Sequence, residues 1–438
     1  MKKSNYSLIV NPNGKQVLFN TIHGTAELVN ENFIKKWNKD NLLCFDENEI
    51  LYLKSRGHIT SAEKEKELID SYQKNLEIIN KKSKFYIVYS YACNFNCFYC
   101  FENDVKYQDK ISNQKLDYIF KSILEIISIN KTIENEIVLF GGEPLLEGNR
   151  ELIFHTMEFA KENNIKISII TNGSNLFNYS ELILDFKEII SGFSITIDGS
   201  KSEHDKRRTY RNGKGSYDEI LKGINFILDN KFNLSIRMNI DKTMMNDFQQ
   251  AFQDLRERLN LEPNIYLSLV EDSTCTGSCN SAYSYREVSE VLMKNAYFEE
   301  NSNITLNMKP INQIIALLNK NNLIMPRFKF CRMSELYIFT PDGKICVCPQ
   351  SCQNEEFQVG EFYPNINIDS VKIHEKHVYS SLAIDMCKSC ELAPLCGGGC
   401  YVRRAYNTQN FDKGICYYKD IKDTLEYFLE EMVLKNEK

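Results

Sequence analysis

The sequence predicts an α/β protein in which a parallel sheet covered by helices stands between a small N-terminal α+β lobe and a C-terminal cysteine-rich domain. Two observations predict it. From Phe85 to about Asp272, apolar runs of strand length alternate with segments of helical period in six units joined by short connections. Alternation of that kind builds parallel sheets whose ligands gather at the carboxyl ends of the strands. Of fifteen cysteines, three fall at 93–100 and seven of the nine from Cys331 onward stand at recognisable spacings, which argues for separate metal centres. The expected domains are residues 1–82, 83–301 and 302–438, the last comprising a bridging region, the cysteine-rich domain and a C-terminal helix.

Composition narrows the class. A chain of 438 residues has room for two or three cores, and 43% hydrophobic with 26% charged residues is ordinary for a globular protein. The net charge of -6 is spread without long like-charge blocks, so nothing calls for nucleic acid. After Met1-Lys2-Lys3 the apolar stretch stops at Val10, and no apolar run reaches the roughly 18 residues that span a bilayer. The expectation is a cytoplasmic protein with no membrane partner. In a reducing compartment thiols stay free, which makes metal ligation the economical use of so many cysteines.

Taken in order, Tyr6 to Val10 and Gln16 to Phe19 flank a Pro-Asn-Gly turn and read as a hairpin, with Thr25 to Val29 as a third strand. Helices follow at Glu31 to Lys39, at Glu47 to Arg56 behind the N-cap Asp46, and at Ala62 to Lys82 behind Thr60-Ser61. The central strands are Phe85 to Tyr89, Glu136 to Phe140, Lys166 to Ile170, Gly192 to Ile197, Leu234 to Ile240 and Ile265 to Val270. Helices are expected near 113–129, 150–163, 179–188, 216–229, 246–259 and 284–300, and another near 310–319. Residues 273–283, rich in Ser, Thr, Gly and Asn, read as a loop.

The loop after the first central strand carries Cys93, Cys97 and Cys100 as C-x3-C-x2-C. Three thiols in eight residues can converge on one centre, whereas a [4Fe-4S] cube takes four ligands. A closed zinc site needs a fourth Cys or His, and none lies within ten residues. Gly141-Gly142-Glu143-Pro144 follows the second strand, Thr171-Asn172-Gly173 the third, and Thr196-Ile197-Asp198-Gly199 the fourth, with His204-Asp205 and Arg208 downstream. Glycines at a strand end let backbone approach a ligand, small hydroxyls and a carboxylate suit ribose hydroxyls, and an Arg reaches a carboxylate. The triplet and these elements resemble the radical S-adenosylmethionine (SAM) superfamily. That resemblance implies a partial (β/α)6 TIM-like barrel and a cube whose open iron chelates SAM. It places Tyr99, Gly142, Glu143, Ser168, Thr196, Asp198 and Arg208 at SAM, Thr196 replacing the more usual Ser. Arg237-Met238-Asn239 resembles a further family pattern, with a buried structural Arg the competing reading; His204 reads as a capping or loop residue.

Past Cys331 come eleven residues, Gly343, four residues and Cys348, then Cys387-x2-Cys390-x5-Cys396-x3-Cys400 and Cys416. This resembles the SPASM domain of radical SAM enzymes that modify peptides, and implies two auxiliary [4Fe-4S] clusters, three in all. By position Cys387, Cys390, Cys396 and Cys416 hold the outer cluster and Cys331, Cys348 and Cys400 the inner one. Met325 stands where some relatives carry another ligand, so the inner cluster has an open iron or recruits Cys346, Cys352, Cys275 or Cys279. Cys346 is the first candidate, because residues two apart on a strand share a face. Cys44 reads as a small buried hydrophobe.

Three strands followed by three helices in residues 1–82 resemble leader-peptide recognition domains, a pattern any small α+β lobe also gives. The combined reading is an enzyme that abstracts hydrogen from a ribosomally made precursor peptide through a 5'-deoxyadenosyl radical and installs a thioether, carbon–carbon or carbon–oxygen crosslink, with flavodoxin or ferredoxin as reductant. No general base is assigned. A sulfatase-maturating, formylglycine-forming enzyme is the first alternative, weakened by Pro349 where that group has Asp after the second SPASM cysteine. A non-catalytic iron–sulfur electron carrier is the second; it leaves the strand-end motifs unexplained.

Overall fold

Five short strands open the chain: β1 (Lys2–Lys3), β2 (Ser7–Val10), β3 (Val17–Asn20), β4 (Thr25–Leu28) and β5 (Ile59–Thr60). This is a computed structural model; it describes all residues except 40, 80–81, 103–108, 260–263, 271–283, 295–303, 307, 320–327, 329–330, 332–335, 379, 401, 403–415 and 435–438. Strands β2, β3 and β4 form an antiparallel meander and β1 pairs with β5. Asn13 and Gly14 take positive φ in the connection between β2 and β3, where the chain turns back on itself. Helices α1 (Glu31–Asn38), α2 (Glu47–Ser55) and α3 (Ala62–Ile79) follow. Asp46 and Glu49 form a reciprocal capping box on α2, each side chain accepting the other's backbone N–H at 2.9 Å. Lys82, expected as the end of the third helix, is instead the first residue of a strand and is ion-paired with Glu134 on its neighbour.

The meander is buried on both faces. Leu18 packs with Trp37, Phe45, Leu53 and Ile59 under the lobe's own helices. On the opposite face Leu8, Val10, Val17 and Phe19 join the main core of the molecule. The Thr21 hydroxyl donates to the Glu391 carbonyl at 2.5 Å and the Asn11 N–H to Glu426 Oε1 at 2.9 Å. The lobe is therefore fused to the C-terminal region by a shared core.

Seven parallel strands follow side by side in chain order: β6 (Lys82–Val88), β7 (Glu134–Phe140), β8 (Lys166–Thr171), β9 (Ile190–Thr196), β10 (Leu234–Ile240), β11 (Ile265–Leu269) and β12 (Ile304–Leu306). All six expected central strands form; β12, three residues long, gave no sequence signal. Helices α4 (Asn113–Asn130), α5 (Arg150–Glu162), α6 (Ser180–Asp185), α7 (Lys201–Arg207), α8 (Tyr217–Asp229), α9 (Lys242–Leu259), α10 (Tyr285–Lys294) and α11 (Lys309–Leu318) connect or follow them. Phe85, Ile87, Ile137, Leu139, Ile167, Ile169, Ile195, Ile236 and Leu267 point into the helix layer and are fully buried. Each such side chain stabilises the fold by about 1.5–3 kcal/mol relative to exposure. The alternate positions carry polar groups that pair across strands: Lys84 with Glu136 at 2.6 Å, Ser194 with Tyr266 at 2.8 Å, and Arg237 with Ser268 at 3.2 Å. A sheet apolar outside and polar inside is the wall of a partial barrel.

The C-terminal region continues that wall. Strand β13 (Leu336–Phe339) lies parallel beside β6, and β14 (Lys344–Cys346), β15 (Gln358–Glu361) and β16 (Asn367–Ile368) add antiparallel, giving eleven strands in one sheet. Because β13 runs parallel to β6, its turn at Pro341-Asp342-Gly343 arrives at the same end as the Cys93–Cys100 loop. The helix Tyr418–Leu429 buries Ile421, Leu425 and Phe428 in the main core. Among the described residues no helix is long and apolar enough to cross a membrane.

Candidate functional site

The loop after β6 is held by a second segment of backbone. Asn96 N–H donates to the Thr209 carbonyl at 2.8 Å, Arg211 N–H to the Asn94 carbonyl at 3.1 Å, and the Phe95 and Tyr210 rings meet edge-on at 4.8 Å. Cys93, Cys97 and Cys100 are thereby brought within electrostatic reach of one another. Burial, then Glu143 and the other two thiols, pushes Cys93 up to about 12; burial, then Glu102 and Cys97, pushes Cys100 up to about 11. Such thiols keep their protons until a metal displaces them.

The Gly141–Pro144 element is pressed against this loop. Glu143 N–H donates to the Ala92 carbonyl at 2.9 Å, and a Cβ on Gly142, whose φ is +48°, would lie 2.1 Å from the same oxygen. Only glycine fits there. The Glu143 carboxylate, expected to face SAM, is turned to the next strand end: Oε1 accepts from the Leu145 N–H at 2.9 Å and the Thr171 hydroxyl at 2.6 Å, and Oε2 from the Asn172 N–H at 2.6 Å. It latches Thr171-Asn172-Gly173 to the loop. Asn172 Nδ2 in turn donates to Asn94 Oδ1 at 2.8 Å.

A second cluster stands over the ends of β9 and β10. Asp198 Oδ1 accepts from the Asn239 N–H at 2.8 Å, and its other oxygen from the Tyr99 hydroxyl. Arg208 Nη1 donates to Tyr99 Oη at 2.6 Å. His204 Nδ1 accepts the Asp198 N–H at 3.1 Å, which leaves the proton on Nε2 for Ser216 Oγ at 3.1 Å. Burial, reinforced by Arg208, Lys201 and Arg207, holds His204 well below the ordinary imidazole range, as suits a histidine that ties a loop. Tyr99, Asp198, Arg208, Gly142 and Glu143 thus surround the triplet, and Thr196 ends β9 beside Arg237. Ser168 does not join them: it is the third residue of β8, and its hydroxyl bonds Glu136 farther down the wall.

Residues 87–255 match the Radical SAM superfamily. That stretch is a radical SAM domain, and the chain is an enzyme. This removes the electron-carrier alternative. It is 24% identical over 343 residues to a cysteine-type anaerobic sulfatase-maturating enzyme of Clostridium novyi, covering 74% of this chain and 87% of that one. It is also 24% identical over 367 residues to the radical SAM cyclopropyl synthase TigE of Paramaledivibacter caminithermalis, covering 75% and 71%. Among solved structures, anSMEcpe with bound AdoMet and the Kp18Cys peptide superposes with a TM-score of 0.63 at 18% identity, covering 81% of this chain and 99% of that one. Streptococcus suis SuiB bound to its precursor peptide SuiA gives 0.55 at 14% identity, covering 93% and 97%.

The radical SAM site fits a cluster and its nucleoside. Beside the three thiols, Arg208 Nε and Glu102 Oε1 are buried without a partner in the structure, one cationic and one anionic atom awaiting a ligand. Glu102 was missed from sequence, because an acidic residue two positions past Cys100 carries no periodic or motif signal of its own.

The seven C-terminal cysteines sort into two groups. Burial, then Cys400 and Cys331, raises the Cys348 thiol. Burial leads in Cys390 and Cys396, each pushed up to about 11, with Cys387 and Cys396 acting on the first and Cys387 and Cys416 on the second. Cys346 departs from expectation. The register shifts at Ile345/Cys346 and β14 ends there, so the shared face with Cys348 is lost. Cys346 is buried beside Cys352, Val88 and Ile338, with its thiol on the Cys352 carbonyl at 3.7 Å, whereas Cys348 packs with Cys331 and Cys400 against the main core. Met325, Cys275 and Cys279 lie outside the described residues.

Proposed function

We propose that this radical SAM enzyme modifies a ribosomally made precursor peptide by hydrogen abstraction and crosslinks it, holding three [4Fe-4S] clusters. Cys93, Cys97 and Cys100 hold the first, Cys331, Cys348 and Cys400 the inner auxiliary cluster, and Cys387, Cys390, Cys396 and Cys416 the outer one. The observation that carries it is the pairing of β13 with β6 and of β14 with β13, which builds β14, the strand leading to Cys348, into the same wall as the strand leading to Cys93. When bound, the first cluster and SAM supply one-electron cleavage of the sulfonium and the hydrogen-abstracting radical. The chain's own part is positional. Glu143 fixes the loops, Arg208 and Asp198 grip the nucleoside through Tyr99 and Asn239, and the polar inner wall of Arg237, Tyr266 and Ser268 faces the peptide. In the lobe, among the described residues, β2 and β4 pair only with β3, so each leaves a strand edge on which an extended leader can add. The SuiB likeness extends over 93% of the chain, more than the sulfatase-maturating likeness covers, which supports a role for the additional lobe.

The test uses the anaerobically reconstituted full chain with SAM, a reductant such as flavodoxin or ferredoxin, and each short peptide encoded beside its gene. Formation of 5'-deoxyadenosine with loss of two hydrogens from one peptide, read by mass spectrometry, is expected. The curated sulfatase-maturating relative favours a second reading, so a Cys-containing sulfatase peptide is the matched arm. Formylglycine there, with no change in the neighbouring peptides, would replace the crosslinking reading.

A further inference from the structure

The N-terminal lobe carries a cavity that lies apart from the cysteine loops. About 400 Å³ in volume, it opens between the start of β4, the end of α2, β5 and the first turns of α3, where Thr25, Lys54, Arg56, Lys64 and Glu65 line it. Its charges do not cancel. Glu65 is spent: its oxygens accept from the Ser4 hydroxyl at 2.7 Å, from the Asn5 N–H at 3.0 Å and from the Lys2 ammonium. Arg56 is paired with Glu27. Lys54 and Lys64 are exposed and, among the described residues, have no side-chain partner. Two ammonium groups on the walls of one concavity attract an anionic group more strongly than they would on an open surface.

Beside the cavity runs the open edge of β4. Val29 N–H is given to the Gln16 carbonyl at 3.0 Å, so by the alternation of an antiparallel ladder Thr25 and Glu27 face β3, while Ala26 and Leu28 turn their N–H and C=O groups away from it. The edge of β2 is less open, because Val10 leads to Asn11, whose N–H is held by Glu426 of the C-terminal helix at 2.9 Å. Helix α2 runs antiparallel alongside β4, with Tyr52 bonded to Glu27 and the Thr25 hydroxyl to the Arg56 carbonyl at 2.7 Å. The two ends of the edge therefore differ. At one end Leu28 and Tyr52 are 54% and 51% exposed, and at the other stand the lysines of the cavity.

Resting on the reading of residues 1–82 as a leader-binding lobe, we propose that the leader adds to β4 and places an acidic side chain, Asp or Glu, in the cavity between Lys54 and Lys64, with apolar side chains at the Leu28 end. The occupant is a peptide because the edge offers backbone donors and acceptors in ladder spacing, and it is acidic because the charge left over is positive. Lys54 and Lys64 are then the specificity-determining residues of the lobe.

The experiment uses the reconstituted full chain and, as probes, fluorescent N-terminal halves of the short peptides encoded beside its gene, with affinity read by anisotropy at low and at high salt. One segment is expected to bind about tenfold more tightly at low salt. Lys54→Gln/Lys64→Gln, its folding checked by its melting midpoint, is expected to bind that segment about tenfold more weakly than the native chain and to lose most of the salt dependence. On the peptide side, changing each Asp or Glu to its amide in turn should find one position that costs the native chain about the same factor and the variant less than about threefold, because the pair is then already broken. Equal binding by native and variant chains, or a segment stripped of acidic side chains that binds the native chain undiminished, overturns the proposal and leaves the leader-binding reading standing. If the variant does not fold, the peptide series on the native chain decides alone. A native chain that cleaves SAM yet binds none of the segments overturns the leader-binding reading together with the proposal.

Discussion

Three donors converge on the Glu143 carboxylate, and an amide in its place offers only one oxygen and turns an N–H₂ toward at least one of them. Glu143→Gln is therefore expected to destabilise the fold by about 1–3 kcal/mol in denaturant unfolding, since a buried donor is left facing a donor. An unchanged midpoint would show that the latch between the second and third strand ends contributes nothing. His58 gives the clearest pH dependence. It is fully buried between Ser7 and Thr25, and burial, with Arg56 and His23 nearby, depresses it from 6.5 to about 3. Below pH 6.5 the unfolded chain binds a proton that the native imidazole refuses. The stability held by the neutral ring is thus complete above 6.5 and is lost as pH falls toward 3, at up to about 1.4 kcal/mol per pH unit. Melting curves at pH 7.5 and 5 should diverge less for His58→Gln than for the native chain; equal divergence would remove His58 as the source. At this scale the sequence was legible where a spacing carries chemistry, as in Cys93, Cys97 and Cys100. It was not where partners come from distant strands: that Glu143 faces Asn172, and Ser168 faces Glu136, depends on which way each loop turns.

Element boundaries followed the apolar period closely, because each central strand is bounded by glycine, asparagine or charge and buries alternate residues such as Phe85 and Ile87. What period could not show is which elements share a core. Residues 1–82 read as a lobe of their own, yet Leu8, Val10, Val17 and Phe19 belong to the main core and β2 to β4 lie between it and the lobe's helices. Deleting the lobe uncovers the apolar surface those four side chains now cover, at about 1.5–3 kcal/mol for each. The truncated chain is therefore expected to aggregate or melt well below the full chain in differential scanning calorimetry. A truncated chain that melts with the full one would mean the lobe is an appendage, and would make its deletion a test of leader binding.

At the scale of the molecule, one eleven-stranded sheet joins the first cysteine group to the inner auxiliary group, whose Cys348 follows directly on β14, while the outer group lies on the short turns around Ala393–Cys396. The first group is thus carried by a loop of its own, whereas the other two proposed groups share the Cys396–Cys400 segment. Cys93, Cys97 and Cys100 all lie on one loop whose anchors are Thr209, Arg211 and Ala92, none of which belongs to either auxiliary group. Replacing all three by Ala leaves β6 and its pairing with β13 intact, since the substitutions fall after Val88. The triple variant should accordingly keep about two thirds of its iron if three cubes are present, and lose SAM cleavage entirely. Iron analysis and electron paramagnetic resonance of the reduced protein read the two effects separately. Loss of nearly all the iron would mean that the groups assemble together through the shared sheet, and continued 5'-deoxyadenosine formation would mean that the cysteine loop is not where SAM is cleaved.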